Sequence, residues 1–137
     1  MTLREEALHL FQKVRKLELA GQHNGFVQCP YCRRWIKAEE SVAVHFIPRQ
    51  YRSLEVEKRN VYAGCAFCNG QDQLQSNAGE YHDRFEQWIR ENFGEWTVEW
   101  LYNRKRVMVK HGSRYYKELI DQLKKELKEY GEEKEEL

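Results

Sequence analysis

Two Cys-x-x-Cys pairs, Cys29 with Cys32 and Cys65 with Cys68, contain every cysteine of this 137-residue chain. Four thiolates are the donor set of a tetrahedral structural zinc site, and this pair spacing is typical of such sites. The separation from Cys32 to Cys65 exceeds the roughly 15–20 residues usual in compact zinc ribbons, so a sizeable element must fold between the two pairs. The sequence predicts one zinc ion per chain, held by all four sulfurs.

Disulfide formation and thiol redox chemistry are the alternative uses of these cysteines. A thioredoxin-type motif needs one reactive pair at a helix start within an α/β pattern, which this sequence does not show. Residues 1–6 are too charged to begin the apolar core of a signal peptide. We therefore expect a cytoplasmic protein, where structural disulfides are rare. A zinc assay combined with a thiol count separates these uses. No apolar run approaches the roughly 18–20 residues that span a bilayer.

A histidine and two asparagines accompany the cysteine pairs: His45 and Asn60 lie between them, and Asn69 directly follows the last cysteine. Cutting a phosphodiester needs a deprotonated water, and a neutral imidazole is a suitable general base at pH 7. We expect His45 to be that base and the Asn60 carbonyl to fix its tautomer by accepting from the second ring nitrogen. We expect Asn69 to help hold a catalytic Mg²⁺ or Mn²⁺, an ion that neutralises phosphate charge while bound by few protein ligands.

Each of these three residues also has a purely structural interpretation. His45 sits in an apolar strand pattern, where a histidine is often a hydrogen-bonded core residue. Asn60 could be no more than a turn residue before a strand. Asn69 could be no more than a left-handed turn residue after a zinc knuckle. Their order along the chain favours the catalytic hypothesis, because strand, loop, thiol pair, asparagine and helix follow one another as in ββα-metal (HNH) sites. For Asn77 the helix N-cap interpretation is sufficient.

Capping, turn and apolar patterns predict an α+β chain in which helices flank a small zinc-bearing core. Thr2-x-x-Glu5 is a capping box that begins a helix, and Gly21 with the Asn24-Gly25 turn ends it. Around the cysteines, the patterns predict a hairpin over 26–36, a strand over 41–47, a basic loop over 49–59 and a short strand over 60–64. Further helices are predicted from Asn77 to Gly94, over 95–106, and from Ser113 to Gly131.

These elements predict a single domain over residues 1–131. The N-terminal helix occupies 1–22, the zinc and ββα core 25–93, and the C-terminal helices 94–131. Residues 132–137 form an acidic tail. A chain of this length can bury a modest core, and a third of its residues are charged, so a structural zinc would matter to its stability.

The formal net charge of +1 does not by itself indicate a nucleic-acid partner, but the distribution of basic residues does. Six Lys or Arg and no acidic residue lie over 100–117, and a second basic group lies in the loop after His45. The candidates for phosphate contacts are Arg49, Arg52, Lys58, Arg59, Arg104, Lys105 and Arg106. The alternative for the loop group is an ordinary solvated loop. The alternative for the group over 100–117 is pairing with the acidic tail. Trp96 and Trp100, four residues apart, are predicted to lie in a helix core rather than to stack on bases.

Several segments together resemble the NinG/Rap recombination endonucleases of bacteriophages. The H…N…CxxCN pattern is the most specific part, and the resemblance covers roughly residues 5–128. The matching segments are Asn24-Gly25-Phe26-Val27, His45-Phe46-Ile47-Pro48-Arg49, Leu54-Glu55, Asn60-Val61-Tyr62-Ala63-Gly64-Cys65-Ala66-Phe67-Cys68-Asn69, Ser76-Asn77, Tyr81 and Gly94.

The resemblance implies a zinc-stapled HNH fold and divalent-ion-dependent cleavage of branched or flapped DNA in phage recombination. A symmetric homodimer would suit paired nicks, with the apolar faces of the first and last helices as its contact. One departure concerns Val44, because many HNH sites carry an Asp ligand just before the base. The catalytic ion would then depend on Asn69 and on other candidates nearby, namely Asp72, Asn77, Glu80, His82 and Asp83. The alternative is a non-catalytic zinc module that binds DNA.

Overall fold

The computed structural model describes residues 1–74 and 78–135, and over these ranges the chain is α+β, as the sequence predicts. The helices are α1 (Leu3–Gly21), α2 (Ala66–Gln73), α3 (Ala78–Phe93), α4 (Glu95–Lys105) and α5 (Ser113–Glu135). The strands are β1 (Phe26–Gln28), β2 (Trp35–Lys37), β3 (Val42–His45) and β4 (Val61–Gly64). Single 3-10 turns occupy Ala38–Glu40 and Lys58–Asn60.

The capping box predicted at the start of α1 is confirmed. The Thr2 hydroxyl accepts from the Glu5 amide at 3.1 Å, and the Glu5 carboxylate accepts from the Thr2 amide at 3.2 Å. The helix ends at Gly21, and Asn24 and Gly25 then adopt positive φ angles of 54° and 90°. This turn directs the chain into the first hairpin.

Two antiparallel hairpins carry the chemistry-bearing residues. In the first, β1 pairs with β2, and the connection between them contains Cys29 and Cys32. In the second, β3 pairs with β4 so that His45 lies opposite Val61 and Val42 opposite Gly64. The first hairpin and the two strands of the second agree with the sequence prediction, whereas the pairing of β3 with β4 was not predicted.

Helix α2 was not predicted, and it follows the second hairpin directly. It begins just after Cys65 and contains both Cys68 and Asn69, together with Gly70. The result is a hairpin followed by a helix, joined at the second thiol pair. The helix expected from Asn77 is described from Ala78, and Asn77 itself lies outside the described residues.

The main core lies where α3 and α4 pack against the two hairpins, and β4 is its central strand. All four residues of β4 are buried. The Tyr62 ring lies edge-on to Trp88 at 5.1 Å and to Phe85 at 5.8 Å between centroids. Such edge-to-face pairs add to the apolar burial of large rings. This packing fixes β4, and therefore Cys65 at its end, against α3.

The apolar faces of α1 and α5 pack against each other within one chain. Phe11 and Val14 of α1 share a buried cluster with Leu123 of α5, and Ala7 shares another with Ile120. These faces are therefore not free to form the homodimer contact that we expected of them, and that expectation is wrong.

Helix α5 continues past Gly131 to Glu135, so the end predicted at Gly131 is wrong. A glycine within a helix costs only about 1 kcal/mol relative to alanine. That cost is too small to stop a helix in which each added residue contributes a further backbone hydrogen bond. The first residues of the expected acidic tail are therefore helical.

The two tryptophans of α4 differ in burial. Trp96 is 62 % exposed, whereas Trp100 packs partly against the main core. The Arg59 guanidinium lies 4.2 Å from the Trp100 ring centre and 5.7 Å from that of Trp96. The prediction of a helix-core position is therefore wrong for Trp96.

Candidate metal centre and active-site cleft

The four cysteine sulfurs converge on one point between the first hairpin and the start of α2. All four Sγ atoms lie within 4.8 Å of one another, and those of Cys29 and Cys65 are 3.7 Å apart. Zinc–sulfur bonds of about 2.3 Å in a tetrahedron place sulfurs about 3.8 Å apart, whereas a disulfide bond is about 2.05 Å long. The donor set and spacing fit a structural zinc ion, and the predicted convergence is confirmed.

The first thiol pair sits in a tight turn closed by backbone hydrogen bonds. The Arg33 amide donates to the Cys29 carbonyl at 2.8 Å, and the Cys29 amide donates to the Arg34 carbonyl at 2.9 Å. Arg33 adopts a φ of +66°, a left-handed conformation that costs a non-glycine residue roughly 1–2 kcal/mol. The turn is thus held in one conformation that places both thiols on the same side.

Gly64 allows the two halves of the cysteine cluster to approach. A Cβ atom at this position would lie 3.3 Å from Pro30 Cδ, 3.3 Å from Val44 Cγ1 and 3.4 Å from Cys29 Sγ. These distances are shorter than most carbon contacts in packed proteins, so a side chain here would push the first turn away from β4. The absence of a side chain at Gly64 therefore lets the first turn pack close enough to β4 for the four cysteines to meet.

The thiols of the cluster differ in acidity. Burial raises the pKa of Cys29 and of Cys68, the latter also through its neighbouring sulfurs. For Cys32, burial acts in the same direction, but hydrogen bonds from the amide and guanidinium of Arg34 lower the pKa to about 7. Zinc binds thiolates, so its binding must displace protons from the buried sulfurs, and zinc affinity should rise with pH.

A cleft of about 580 Å³ opens beside the second hairpin and brings together His45 of β3 with Asn69 and Asp72 of α2. Asn69 and Asp72 are three residues apart, so they lie on the same face of the helix. The other polar residues of the lining are Gln12 of α1, Arg49 of the loop after β3, and Gln73 at the end of α2. The structure therefore places two of the three predicted catalytic residues in one cleft.

The His45 imidazole is oriented by a backbone group. Its Nε2 lies 3.0 Å from the Glu55 carbonyl oxygen, which can only accept, so Nε2 carries the proton. In the neutral ring, Nδ1 is then the basic nitrogen. Burial lowers the pKa of His45 below its usual value, and the charge of Arg49 acts in the same direction. His45 is therefore neutral at pH 7, as a general base must be.

Asn60 does not orient that imidazole, contrary to our expectation. Its side chain is fully buried, and its carbonyl oxygen accepts from the Ile47 amide at 2.7 Å. Its amide nitrogen donates to the carbonyls of Ile47 at 2.9 Å and Leu54 at 3.0 Å. Asn60 thus closes the loop between β3 and β4. The Glu55 carbonyl orients His45, the role that we had assigned to Asn60.

Glu55 is a residue whose importance sequence reasoning missed. Its carboxylate is fully buried, 2.7 Å from Arg4 Nε and 3.6 Å from Arg52 Nη1, and it accepts from the Tyr116 hydroxyl at 2.8 Å. A buried carboxylate normally requires such charged and hydrogen-bonded partners. Only its position in the Leu54-Glu55 segment of the resemblance pointed to it. The same residue therefore joins α1, the loop and α5 and holds His45 through its carbonyl.

Asp72 stands out among the candidate ligands named beside Asn69. Its Oδ2 accepts from the Tyr31 hydroxyl at 2.9 Å, and Tyr31 lies inside the first thiol pair. Burial and this carboxylate raise the pKa of Tyr31, so it remains a donor. The cysteine cluster is thereby connected to the face of α2 that lines the cleft.

The other candidate ligands lie apart from this cleft or outside the description. The His82 ring stacks on Phe46 at 4.5 Å, and Glu80 pairs with Arg84. Asp83 is exposed on α3, and Asn77 lies outside the described residues. Val44, which precedes the expected base, is fully buried, and its hydrocarbon side chain has no atom that could bind a metal.

The predicted phosphate-binding residues divide between different surfaces. Arg49 lines the His45 cleft, and Arg52 lies behind it against Glu55. Lys58 pairs with Glu18 at 2.9 Å and, with Arg59, lines a different hollow beside α5.

The end of α4 packs on the loop that follows β3. Ser53 donates to the Arg104 carbonyl at 2.9 Å, and Lys105 Nζ lies 4.7 Å from the Tyr51 ring centre. Arg106, the last of the three consecutive basic residues, is exposed beyond the helix. The basic residues at the end of α4 therefore lie next to the loop after β3, although the two segments are distant in sequence.

The fold and site define an α+β protein with a four-cysteine cluster suited to structural zinc and a polar cleft beside it. No family model, curated protein or solved structure matches the chain. Over residues 1–74 and 78–135, no helix is both long enough and apolar enough to cross a membrane.

Proposed function

We propose that this chain is a divalent-metal-dependent DNA endonuclease of the HNH class. The single observation that carries the proposal is the His45 cleft, in which a neutral imidazole faces the same space as Asn69 and Asp72. The order of hairpin, thiol pair and helix around this cleft is that expected for a ββα-metal site. The NinG/Rap resemblance supports the same class.

The chain's own groups could perform the chemistry as follows. His45 accepts a proton at Nδ1 from a water in the cleft, while the Glu55 carbonyl holds Nε2–H and prevents the ring from turning. Asn69 and Asp72 offer oxygen ligands from adjacent turns of α2, which suit Mg²⁺ or Mn²⁺. When bound, the ion supplies positive charge to the scissile phosphate and the leaving oxygen.

Branched or flapped DNA is the substrate class that we propose, with phage recombination as the setting. This part depends on the family resemblance and not on the geometry of the cleft. Comparing a four-way junction, a flap and linear duplex of equal length would test it, with faster cleavage of the branched forms expected.

Plasmid nicking tests the endonuclease proposal. Purified protein should nick supercoiled DNA in Mg²⁺ or Mn²⁺, and His45→Ala should slow nicking by roughly 10²–10⁴-fold, the usual contribution of a general base. His23→Ala is the matched control, because His23 is an exposed histidine against Trp35. Both variants should retain their zinc content and circular dichroism. Equal nicking by the wild type and His45→Ala would contradict the assignment.

A non-catalytic zinc module that binds DNA is the second candidate. It is favoured by the fully buried Val44, which occupies the position where many HNH sites have an acidic ligand. Absence of cleavage of plasmid, flap and junction in every divalent ion, with DNA binding retained, would select this alternative.

A further inference from the structure

We propose that a groove beside the His45 cleft, between α1 and the loop after β3, binds the sugar–phosphate backbone of the DNA strand. The groove has a volume of about 710 Å³ and is continuous with the cleft, because Gln12, Pro48 and Arg49 line both. This inference rests on the proposed function and adds to it a path for the substrate. A strand that leaves the cleft past Arg49 would enter this groove.

The groove has two walls of different origin. Arg4, Leu8 and Gln12 recur at four-residue spacing along α1, and His9 lies beside this row on the same wall. The opposite wall is the loop segment that contains Arg49 and Arg52. Neither wall forms a continuous basic motif in the sequence, because the two segments are almost 40 residues apart. Only folding brings their charges to a common surface.

Buried Glu55 gives the groove a fixed arrangement of cations. It contacts Arg4 at 2.7 Å and Arg52 at 3.6 Å, and the side chains of these arginines keep 29 % and 38 % exposure. Both guanidiniums also donate to the Arg49 carbonyl, at 3.3 Å from Arg4 and 3.0 Å from Arg52. Two arginines share one carboxylate, so positive charge remains on the exposed side. The contacts hold both side chains in place before any ligand binds.

The chemistry of the lining fits phosphodiesters better than bases. Arginine guanidiniums offer several N–H donors and bind phosphate oxygens in forked geometry. In the described part of the chain, three arginines line the groove, and Glu5 is the one acidic residue of the lining. Three phosphate contacts predict a salt dependence of the binding constant with a log–log slope of about −2 to −3.

Charge-gain variants test the groove without removing any structural contact. His9→Arg and Gln50→Arg each add a cation to an exposed lining position. Each should tighten binding of a fluorescent DNA strand by about threefold to tenfold at low salt, and steepen the salt slope by about 0.7–0.9. His9→Glu and Gln50→Glu should weaken binding similarly. Binding is measured by anisotropy in Ca²⁺, with a His45→Ala background if cleavage persists.

Gln22→Arg is the matched control. Gln22 is exposed at the other end of α1, about 20 Å along the helix from His9 at 1.5 Å per residue. This variant adds the same charge but should leave affinity unchanged. Equal tightening by Gln22→Arg and the two groove variants would show that positive charge anywhere on the surface attracts DNA. That result would overturn the proposed DNA-binding groove.

Hydrolysis of a small diester, bis(4-nitrophenyl) phosphate, separates this proposal from the proposed function. The small substrate does not extend into the groove, so groove variants should hydrolyse it at the wild-type rate while their KM for DNA changes. Unaltered DNA binding in all four groove variants, with diester hydrolysis intact, overturns the groove and leaves the nuclease. Altered DNA binding without any diester hydrolysis supports the groove and contradicts the nuclease.

Discussion

At the scale of single residues, the orientation of His45 depends on a backbone carbonyl rather than on a side chain. The Glu55 carbonyl accepts from Nε2 and is present whatever side chain stands at position 55. The tautomer can therefore survive substitutions in the loop, provided that the loop keeps its conformation. Asn60 maintains that conformation by satisfying three buried backbone groups.

The first prediction concerns the pH dependence of nicking. A general base must be unprotonated, and burial lowers the pKa of His45 below 6.5. The rate should therefore rise with pH to a midpoint below 6.5 and be constant through pH 7. Arg49→Gln removes a charge that lowers this pKa, so its midpoint should move to higher pH. Single-turnover nicking between pH 5 and pH 8 measures both. A midpoint above 6.5 in the wild type would contradict the assignment.

The second prediction is that Asn60→Ala destabilises the fold. The substitution leaves the Ile47 amide and the carbonyls of Ile47 and Leu54 without their buried partner. Because each unsatisfied buried group costs roughly 1–3 kcal/mol, we expect the three together to cost at least about 3 kcal/mol. Urea unfolding of the zinc-loaded protein measures it, with the exposed Asn103→Ala as control. A loss no greater than that of the control would contradict a structural role.

At the scale of elements, Glu55 acts as a junction between α1, the loop and α5. Its partners Arg4 and Tyr116 are 51 and 61 residues away in sequence. A buried ion pair contributes little net stability when intact, because desolvation offsets the attraction. Removing one partner is costly, since a charge is then left without compensation. The junction therefore specifies how the helices meet the loop more than it adds to stability.

The third prediction follows from this junction. Glu55→Ala should destabilise the protein by about 3–5 kcal/mol, the usual effect of breaking a buried pair. Tyr116→Phe should cost only about 1 kcal/mol, because it removes one hydrogen bond and keeps the ring. In the double variant the losses should not add, since the two groups contact each other. Additive losses in urea unfolding would show that they act independently.

At the scale of the whole molecule, the cysteine cluster joins two thiol pairs that lie far apart in the sequence. It ties the first hairpin to the start of α2, and Tyr31 extends the connection to Asp72 in the cleft. A chain with a third of its residues charged has a limited apolar core. A bound zinc would therefore support both the fold and the geometry of the cleft.

The fourth prediction is that the purified protein holds one zinc ion and loses its fold when the ion is removed. Structural zinc contributes an apparent 10–16 kcal/mol or so in small zinc domains, comparable to the roughly 5–15 kcal/mol stability of a whole domain. Excess chelator, or Cys29→Ser, should therefore lower the melting temperature strongly. Elemental analysis and thermal unfolding measure this. An unchanged melting temperature after complete removal of metal would contradict a structural site.

Local patterns in the sequence were sufficient for several features. The Thr2-x-x-Glu5 box, the Gly21 end of α1, the first hairpin, the two later strands and the convergence of the four cysteines could all be predicted. Each of these depends on residues close together in the chain, or on a donor set that only a metal satisfies. The α+β class followed from the same signals.

Tertiary structure alone decided the roles of Asn60 and Glu55, and the packing of α1 on α5. It also decided that the chain after Cys65 forms a helix and that Trp96 is exposed. The physical reason is that the partners are distant in sequence: Glu55 meets Tyr116 across 61 residues. A buried polar side chain takes the partner that the fold presents to it, and spacing along the chain does not reveal which one that is.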